Sequence, residues 1–501
     1  MSVTTNMFEN IGIEIQAALV PLYLPLAKIL KERHGATLHL YTRSREDEKS
    51  FARDNKDGLW ASVTNDTVHV EAIQAKGLDE EKVISRARQT ENLIGEPINR
   101  LALSNRQMGH AFAAGAWHHP VPPYVTRASN TQLLHALAES VAFWEREIRE
   151  KNLGLVMDGN KFMAATAGSM GVPYRRLTLA RFGTYCYWAV NDFFDHPGIE
   201  KAYNALEDWP DAEIGGSYAL AAQKYEIERH ARSWWRIAVS LPESILRHFY
   251  YKARKMEKGD SIFLSDLITS PFRIRNAQRH LDRLATAGLE DLAGKTFVYY
   301  PLQKEPEATI GQAAPECLSQ HATIIAVARD LPAGVLLAIK ENSSAVGRRT
   351  ASFYDQIVAL KNVVMLHPDT PSIEAIKQAV ATITIAGTAS MEAAILGKPT
   401  LTFSGHIKWK FLPHARVVTC ESELPSLLRW VASGPFDADQ ARQDGARFLA
   451  ALKASSMNLK GFGRDRKGGY VSDEKDTNIL YSALCQSLGL SPVKASRKKV
   501  A

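Results

Sequence analysis

From Thr296 to Phe403 short apolar, β-rich runs and helical stretches take strict turns. Thr296–Pro301 (TFVYYP) reads as a strand, Pro315–Asp330 as a helix, Val335–Ile339 as a strand and Thr350–Leu360 as a helix. Val363–Leu366, Ser372–Gln378, Ala381–Ile385, Ala389–Leu396 and Thr400–Phe403 continue in the same order. Short strands that are apolar on both faces, each followed by a helix, pair in parallel because the helix carries the chain back to its starting edge. The alternation predicts a doubly wound α/β sheet of Rossmann type. Every loop that follows a strand then falls on one edge, where such sheets bind ligands.

The chain has 501 residues, too many for one core. Its first half repeats the rhythm more loosely. A helix is expected from Ile15 to Arg33, a strand at Ala36–Tyr41, another at Thr67–Ile73, and helix from Asp79 to about Ala113 with breaks near Gly95 and Pro97. Ala116–Tyr124 reads as a loop because its prolines stop both helix and central strand. Ser129 opens a helix to about Lys151, and Leu153–Met157, Lys161–Met170 and Tyr174–Ala180 follow as strand, helix and strand. Residues 196–285 read as helical, as do 439–454 and 475–488, before a basic tail from Lys494 to Lys499. The expected pieces are a Rossmann-like domain at 1–195, a helical insertion at 196–290, a second Rossmann-like domain at 291–435, and C-terminal helices with the tail at 436–501.

Composition narrows the setting. A hydrophobic share of 45% and a charged share of 23% exclude a disordered or collagen-like chain. The net charge of +7 hints at anionic partners without choosing among nucleotides, acidic sugars, headgroups and nucleic acid. Four scattered cysteines form no CxxC pair, which argues against a zinc or disulfide framework. The start of the chain lacks a signal-peptide pattern, and Ala17–Ala27, its most apolar stretch, is too short to span a bilayer. The expectation is a cytoplasmic protein, free or seated on a membrane surface.

The best constellation for chemistry is Ile385-Ala386-Gly387-Thr388-Ala389-Ser390-Met391-Glu392: a strand end, a glycine turn, two hydroxyls and a helix start. Free N–H groups and the positive dipole end of such a helix hold a phosphate, with Thr388 and Ser390 hydroxyls adding donors. Glu392 would accept hydrogen bonds from a ribose diol. A plainly capped helix, with Glu392 as a first-turn charge, is the competing reading. Three more loops end at the same edge: Gln303-Lys304-Glu305-Pro306-Glu307; Lys340-Glu341-Asn342 with Arg348 and Arg349; and His367-Pro368-Asp369 with Ser372. Each alone is an ordinary solvated turn; their shared edge raises the functional reading.

Three stretches carry a resemblance: YYPLQKEPEATIG (Tyr299–Gly311), IKENSSAVGRR (Ile339–Arg349) and TITIAGTASMEAAILGKPTLTF (Thr382–Phe403). Together they resemble the bacterial capsule polysaccharide biosynthesis family, which includes CMP-Kdo-dependent glycosyltransferases of GT-B type. The first and third follow the family's phrases in order; in the second, Asn342-Ser343 stands where the family has His-Pro. The resemblance covers about a fifth of the chain strongly. It implies a GT-B-like fold, with two Rossmann-like domains facing a central cleft, the first on the acceptor side and the second binding the nucleotide sugar. It implies transfer of a sugar, Kdo-like and from a CMP-activated donor, to a glycan or lipid-linked acceptor. Gln303, Glu307, Lys340, Glu341, Gly387, Thr388, Ser390 and Glu392 would line the donor site, with Arg348, His367 and Ser372 on the same rim. Lys340 and Arg348 would neutralise charge on the leaving phosphate. No Asp-x-Asp triplet falls in a suitable loop, which agrees with chemistry needing no metal and no cofactor beyond the donor.

Sugar transfer also needs a group to take the acceptor's proton. Glu14, in NIGIEI, and Asp158, at the end of an apolar strand, are the candidates; a helix-start charge and a turn residue are their structural alternatives. Kdo transferases of lipid A assembly carry a glutamate in a similar glycine-containing loop, although here Ile13 lies between Gly12 and Glu14. His110, His118, His119 and Arg181 add polarity, but adjacent histidines do not share one metal ion. The basic, aromatic segment Arg229–Lys258 has three readings: a helical hairpin with Trp234 and Trp235 in the core, a helix on an anionic membrane, or nucleic-acid binding, for which no motif is present. Two other functions stay open: a GT-B enzyme using a UDP-sugar, of transferase or epimerase type, and a non-catalytic export or scaffold protein.

Overall fold

The structure is a computed structural model that describes residues 7–15, 19–105, 108–109, 122–212, 233–254, 262–305, 307–342, 345–459, 463–464, 470–471 and 473–493. His110, His118, His119 and the 494–499 tail lie outside the described residues. The chain divides into two compact units, residues 1–102, 127–199 and 452–501 in one and 103–126 and 200–451 in the other. This grouping differs from the four pieces expected. Nearly all of 196–290 joins the second unit, and 436–501 is split, its larger part closing the first unit.

In the first unit β1 (Asn10–Glu14), β2 (Thr37–Thr42), β3 (Ser62–Asn65), β4 (Leu155–Met157) and β5 (Tyr174–Leu179) pair in parallel in the order 3-2-1-4-5. β6 (Tyr185–Ala189) joins antiparallel to β5, and Met457–Asn458 joins antiparallel to β6. Two expectations are corrected here. The first helix is Val20–His34, and NIGIE before it is β1, with Ile11 and Ile13 fully buried. Thr67–Ile73 is not a strand: Ser62–Asn65 is, and Val68–Ala72 is a helical turn. The Asn65 side chain accepts from the Thr67 N–H at 2.6 Å, a local turn that overrides the Val-His-Val alternation.

Elsewhere the local signals hold. Ser129 and Gln132 form a reciprocal capping box at the start of Asn130–Glu150. Asp79 caps Glu80–Ile94, which ends at Gly95 in the left-handed conformation. The core joins Ile11, Ile13, Leu22, Leu26, Leu38, Leu40, Leu155 and Met157 to Met457, Leu480 and Leu484. The helix Glu474–Ser487 thus completes a core that the first strands begin.

In the second unit β7 (Thr296–Pro301), β8 (Val335–Lys340), β9 (Val363–Leu366), β10 (Ala381–Thr384), β11 (Thr400–Thr402) and β12 (Ala415–Val417) form one parallel sheet. Its order, 12-11-10-7-8-9, is that of a dinucleotide-binding sheet, and it reverses between β7 and β10. Side chains alternate between two cores: Val298, Tyr300, Leu337 and Ile339 on one face, Phe297, Tyr299 and Ala338 on the other. Helices therefore cover both faces, as the alternation predicts.

The helix Leu264–Leu284 buries Ile274, Ala277 and Leu281. The helix Trp234–Ala253 packs beside it but buries only Ile237 fully. Trp234 and Trp235, expected in the core of a hairpin, are 53% and 77% exposed instead. Trp234 leans on Phe272, ring centroids 5.7 Å apart, while Trp235, about 100° further round the helix, stays in solvent. Among the described residues no helix is long and apolar enough to cross a membrane.

Candidate functional site

At the carboxyl edge of the second sheet, Lys340 ends β8 and Glu392 sits in the first turns of Thr388–Ile395, the helix that follows β10. β7 runs between their strands, so they flank the point where strand order reverses. Lys340 is buried and its ammonium donates to the Thr370 carbonyl at 3.0 Å. Burial pushes Lys340 down to about 8, against the pull of Glu392, Asp369 and Glu341. Burial likewise pushes Glu392 up to about 7, with Lys340 opposing. Each group is thus poised near neutrality beside its opposite charge.

The turn between β10 and its helix is held from below. Gly387 takes the N-cap position and no side chain caps the first turn; the Ser390 N–H turns to the Gly387 carbonyl at 3.2 Å, and those of Thr388 and Ala389 lead the helix toward the edge. Thr388 is exposed there, whereas Ser390 is fully buried and donates to the Gly387 carbonyl at 2.8 Å. The Thr384 hydroxyl receives the Gly387 N–H at 3.0 Å. Gln303 ties the loops across the reversal: its side-chain oxygen accepts from the Ile385 and Ala386 N–H groups at 3.1 and 3.0 Å. A Cβ on Gly387 would lie 3.2 Å from both the Gln303 and Thr384 side chains, a tight fit that would press on the Gln303 tie.

Beneath this rim lies a buried ionic knot. Arg349 is fully buried between Glu305 and Glu341, bonding Glu341 at 2.8 Å and also holding Glu305 and the Gln303 carbonyl. Glu341 further accepts from the Tyr354 hydroxyl at 2.7 Å and from the Asn342 N–H at 2.8 Å. Of the residues expected on the donor rim, Lys340, Glu392, Thr388, Gly387, Ser372 and His367 fall on the edge. Gln303, Glu341 and Ser390 lie below it, the Gln303 side-chain oxygen, the Glu341 carboxylate and the Ser390 hydroxyl all bonded within the protein. Ser372 receives the Tyr299 hydroxyl at 3.2 Å, and His367 pairs with Asp369. Glu307 and Arg348 are half-buried.

The first sheet carries a second polar cluster at its own reversal, between β1 and β4. Glu14, at the end of β1, is buried; it pairs with Arg43 and accepts the Asn160 N–H at 2.8 Å. Asp66, just past β3, receives the Asn160 side-chain amide at 2.6 Å. Burial and the neighbouring Glu14, which lies within hydrogen-bond reach, hold Asp66 well above the usual carboxylate range. Asp158, just past β4, is also buried, with φ at 65° and one carboxylate oxygen without a partner. Burial pushes it up to about 8, although Arg176 lies 3.9 Å away. Glu14 and Asp158, named from sequence, therefore meet in one cluster. Asp66, Arg43 and Asn160 were not anticipated; with β3 placed at Ser62–Asn65, the parallel-sheet rule would have put Asp66 on the same edge. Arg181, also named, has a positive φ and is exposed. Among the described residues no His, Cys, Asp and Glu group could hold a metal ion.

No model of a known protein family matches this sequence, and no curated protein does. Solved structures give faint likenesses. KpsC of Thermosulfurimonas dismutans, a beta Kdo 2,7 transferase, is 13% identical with a TM-score of 0.30, over 67% of this chain and 87% of that one. The UDP-GlcNAc 2-epimerase of Neisseria meningitidis is 9% identical with a TM-score of 0.23, over 89% and 98%. The glycosyltransferase VinC is 14% identical with a TM-score of 0.26, over 89% and 97%. Similarities this weak decide neither family nor substrate; the chain's own geometry has to.

Proposed function

We propose that this chain is a GT-B-type glycosyltransferase that moves a sugar from a nucleotide donor to a glycan or lipid-linked acceptor in surface polysaccharide assembly. The observation that carries this is the Lys340–Glu392 pair beside an uncapped helix start, at the strand reversal of a sheet with dinucleotide-binding order. The helix N–H groups, Thr388 and Lys340 hold the donor phosphate, and Glu392 takes the ribose hydroxyls. The proton of the acceptor hydroxyl passes to a base. The acceptor oxygen then bonds the anomeric carbon, the bond from that carbon to the phosphate oxygen breaks, and its electron pair leaves with the phosphate. Lys340 stabilises that charge where it develops.

The motif resemblance favours a CMP-activated acidic sugar such as Kdo. Thermal unfolding of the full chain with CMP, UDP and GDP tests the site and chooses the base. A nucleotide at about a hundred times its Kd stabilises the folded state by about 2.7 kcal/mol. CMP is expected to raise the melting temperature of the wild type but not of Lys340→Met. Stabilisation by UDP alone would move the reading to a UDP-sugar enzyme, and no response to any of the three would sink it.

A further inference from the structure

The helix Trp234–Ala253 has a packed inner face and an apolar outer one. Ile237, Leu241, Ser244, His248 and Tyr251 recur at helical spacing and are all partly or fully buried, Ile237 most deeply. On the opposite side Trp235, Val239, Pro242, Leu246 and Phe249 recur at the same spacing, and all are exposed, Leu246 by 71%. Tyr250 borders this second stripe and is exposed too. A soluble helix packs its apolar side inward; this outer apolar stripe is exposed among the described residues.

The charges beside the outer stripe say what covers it. Arg236, Arg247 and Arg254 stand eleven and seven residues apart, which places them in one row along its edge. Lys252 lies toward the other side. The helix has one acidic residue, Glu243, and it is already paired with Arg247. In an antiparallel pair packed stripe to stripe these arginine rows would lie on the same side, where the one carboxylate of each helix, Glu243, is already taken by Arg247. An anionic bilayer offers both halves of the complement: apolar chains for the stripe and headgroup charge for the row. Long basic side chains reach such headgroups while their stems cover apolar surface, and Trp and Tyr suit the boundary between the two.

We propose that this helix lies in the plane of an anionic membrane surface, its outer stripe among the acyl chains and its arginine row at the headgroups. This stands apart from the sugar-transfer reading, since no residue of the nucleotide site takes part. The test is co-sedimentation of the full chain with vesicles of phosphatidylcholine, with and without about one-quarter phosphatidylglycerol, at about 0.05 M and 0.5 M salt. Binding is expected to the phosphatidylglycerol vesicles, weaker at the higher salt. The double variant Leu246→Glu/Phe249→Glu should bind at least about tenfold more weakly with an unchanged melting temperature, because both side chains are exposed. Arg236→Ala/Arg254→Ala, which leaves the stripe intact, should lose about fivefold for each charge. No binding at low salt, or binding that neither variant weakens, would overturn the proposal. So would a wild-type dimer that dissolves in Leu246→Glu/Phe249→Glu, since a second copy would then be the occupant.

Discussion

At the scale of single residues the most telling group is Asp158. Its positive φ and its unpartnered oxygen place a carboxyl where solvation is poor, and burial raises it to about 8. Between its ordinary value of 3.8 and 8 the folded protein binds more protons than the unfolded chain, so this group makes stability fall as pH rises across that window. Asp158→Asn removes the effect. Its melting temperature is expected to exceed the wild type's by a margin that widens from pH 5 to pH 8; a constant margin would contradict the burial argument. Lys340 and Glu392 make a separate forecast. Glu392 gains its charge as pH rises through about 7 and Lys340 loses its charge through about 8. Nucleotide affinity followed by calorimetry should peak between those values, and Glu392→Gln should abolish the acidic limb alone.

At the scale of elements, the loops of the second sheet are fastened to one another before they meet any ligand. Arg349 is the pin, because it joins the loops after β7 and β8 through Glu305, Glu341 and the Gln303 carbonyl. Arg349→Met would leave two carboxylates buried without their cation, a change that costs about 3–5 kcal/mol. The urea midpoint of the second unit should fall accordingly, and an unchanged midpoint would mean the knot contributes little. Glu305 and Glu341 illustrate where the sequence stops being legible. Position after a strand assigns a residue to an edge, and the alternation made those edges plain: Thr296–Pro301, Val363–Leu366 and Ser372–Gln378 fall where the pattern puts them. Position does not say whether a side chain faces outward or turns under the loop to meet an arginine several residues later. The first sheet was harder for a different reason. β1 runs almost directly into a helix rich in the same apolar residues, and a single Asx turn shifts β3 away from the Val-His-Val run that mimics a strand. Asp66 and Arg43 went unseen with them.

At the scale of the whole molecule, the chain builds most of its first unit, interrupted by residues 103–126 of the second, then residues 200–451 of the second, then returns. The returning segment supplies Met457, Leu459, Leu480, Tyr481, Leu484 and Cys485 to the core that holds Ile11 and Leu22. Each large side chain of that kind contributes about 1.5–3 kcal/mol when buried, so together they match the whole stability of an ordinary domain. A chain ending at Ala451 should therefore show the second unit's amides still protected from hydrogen exchange and the first unit's exposed; protection of both would contradict the shared core. The same route has a consequence during synthesis. Roughly 250 residues separate Ile199 from Leu452, which takes a ribosome about ten seconds to a minute. For that interval the nascent amino-terminal sheet waits with one flank unsealed while its neighbour already folds. The apolar core of that sheet is then the last to close, and the surface most open to chaperones until it does.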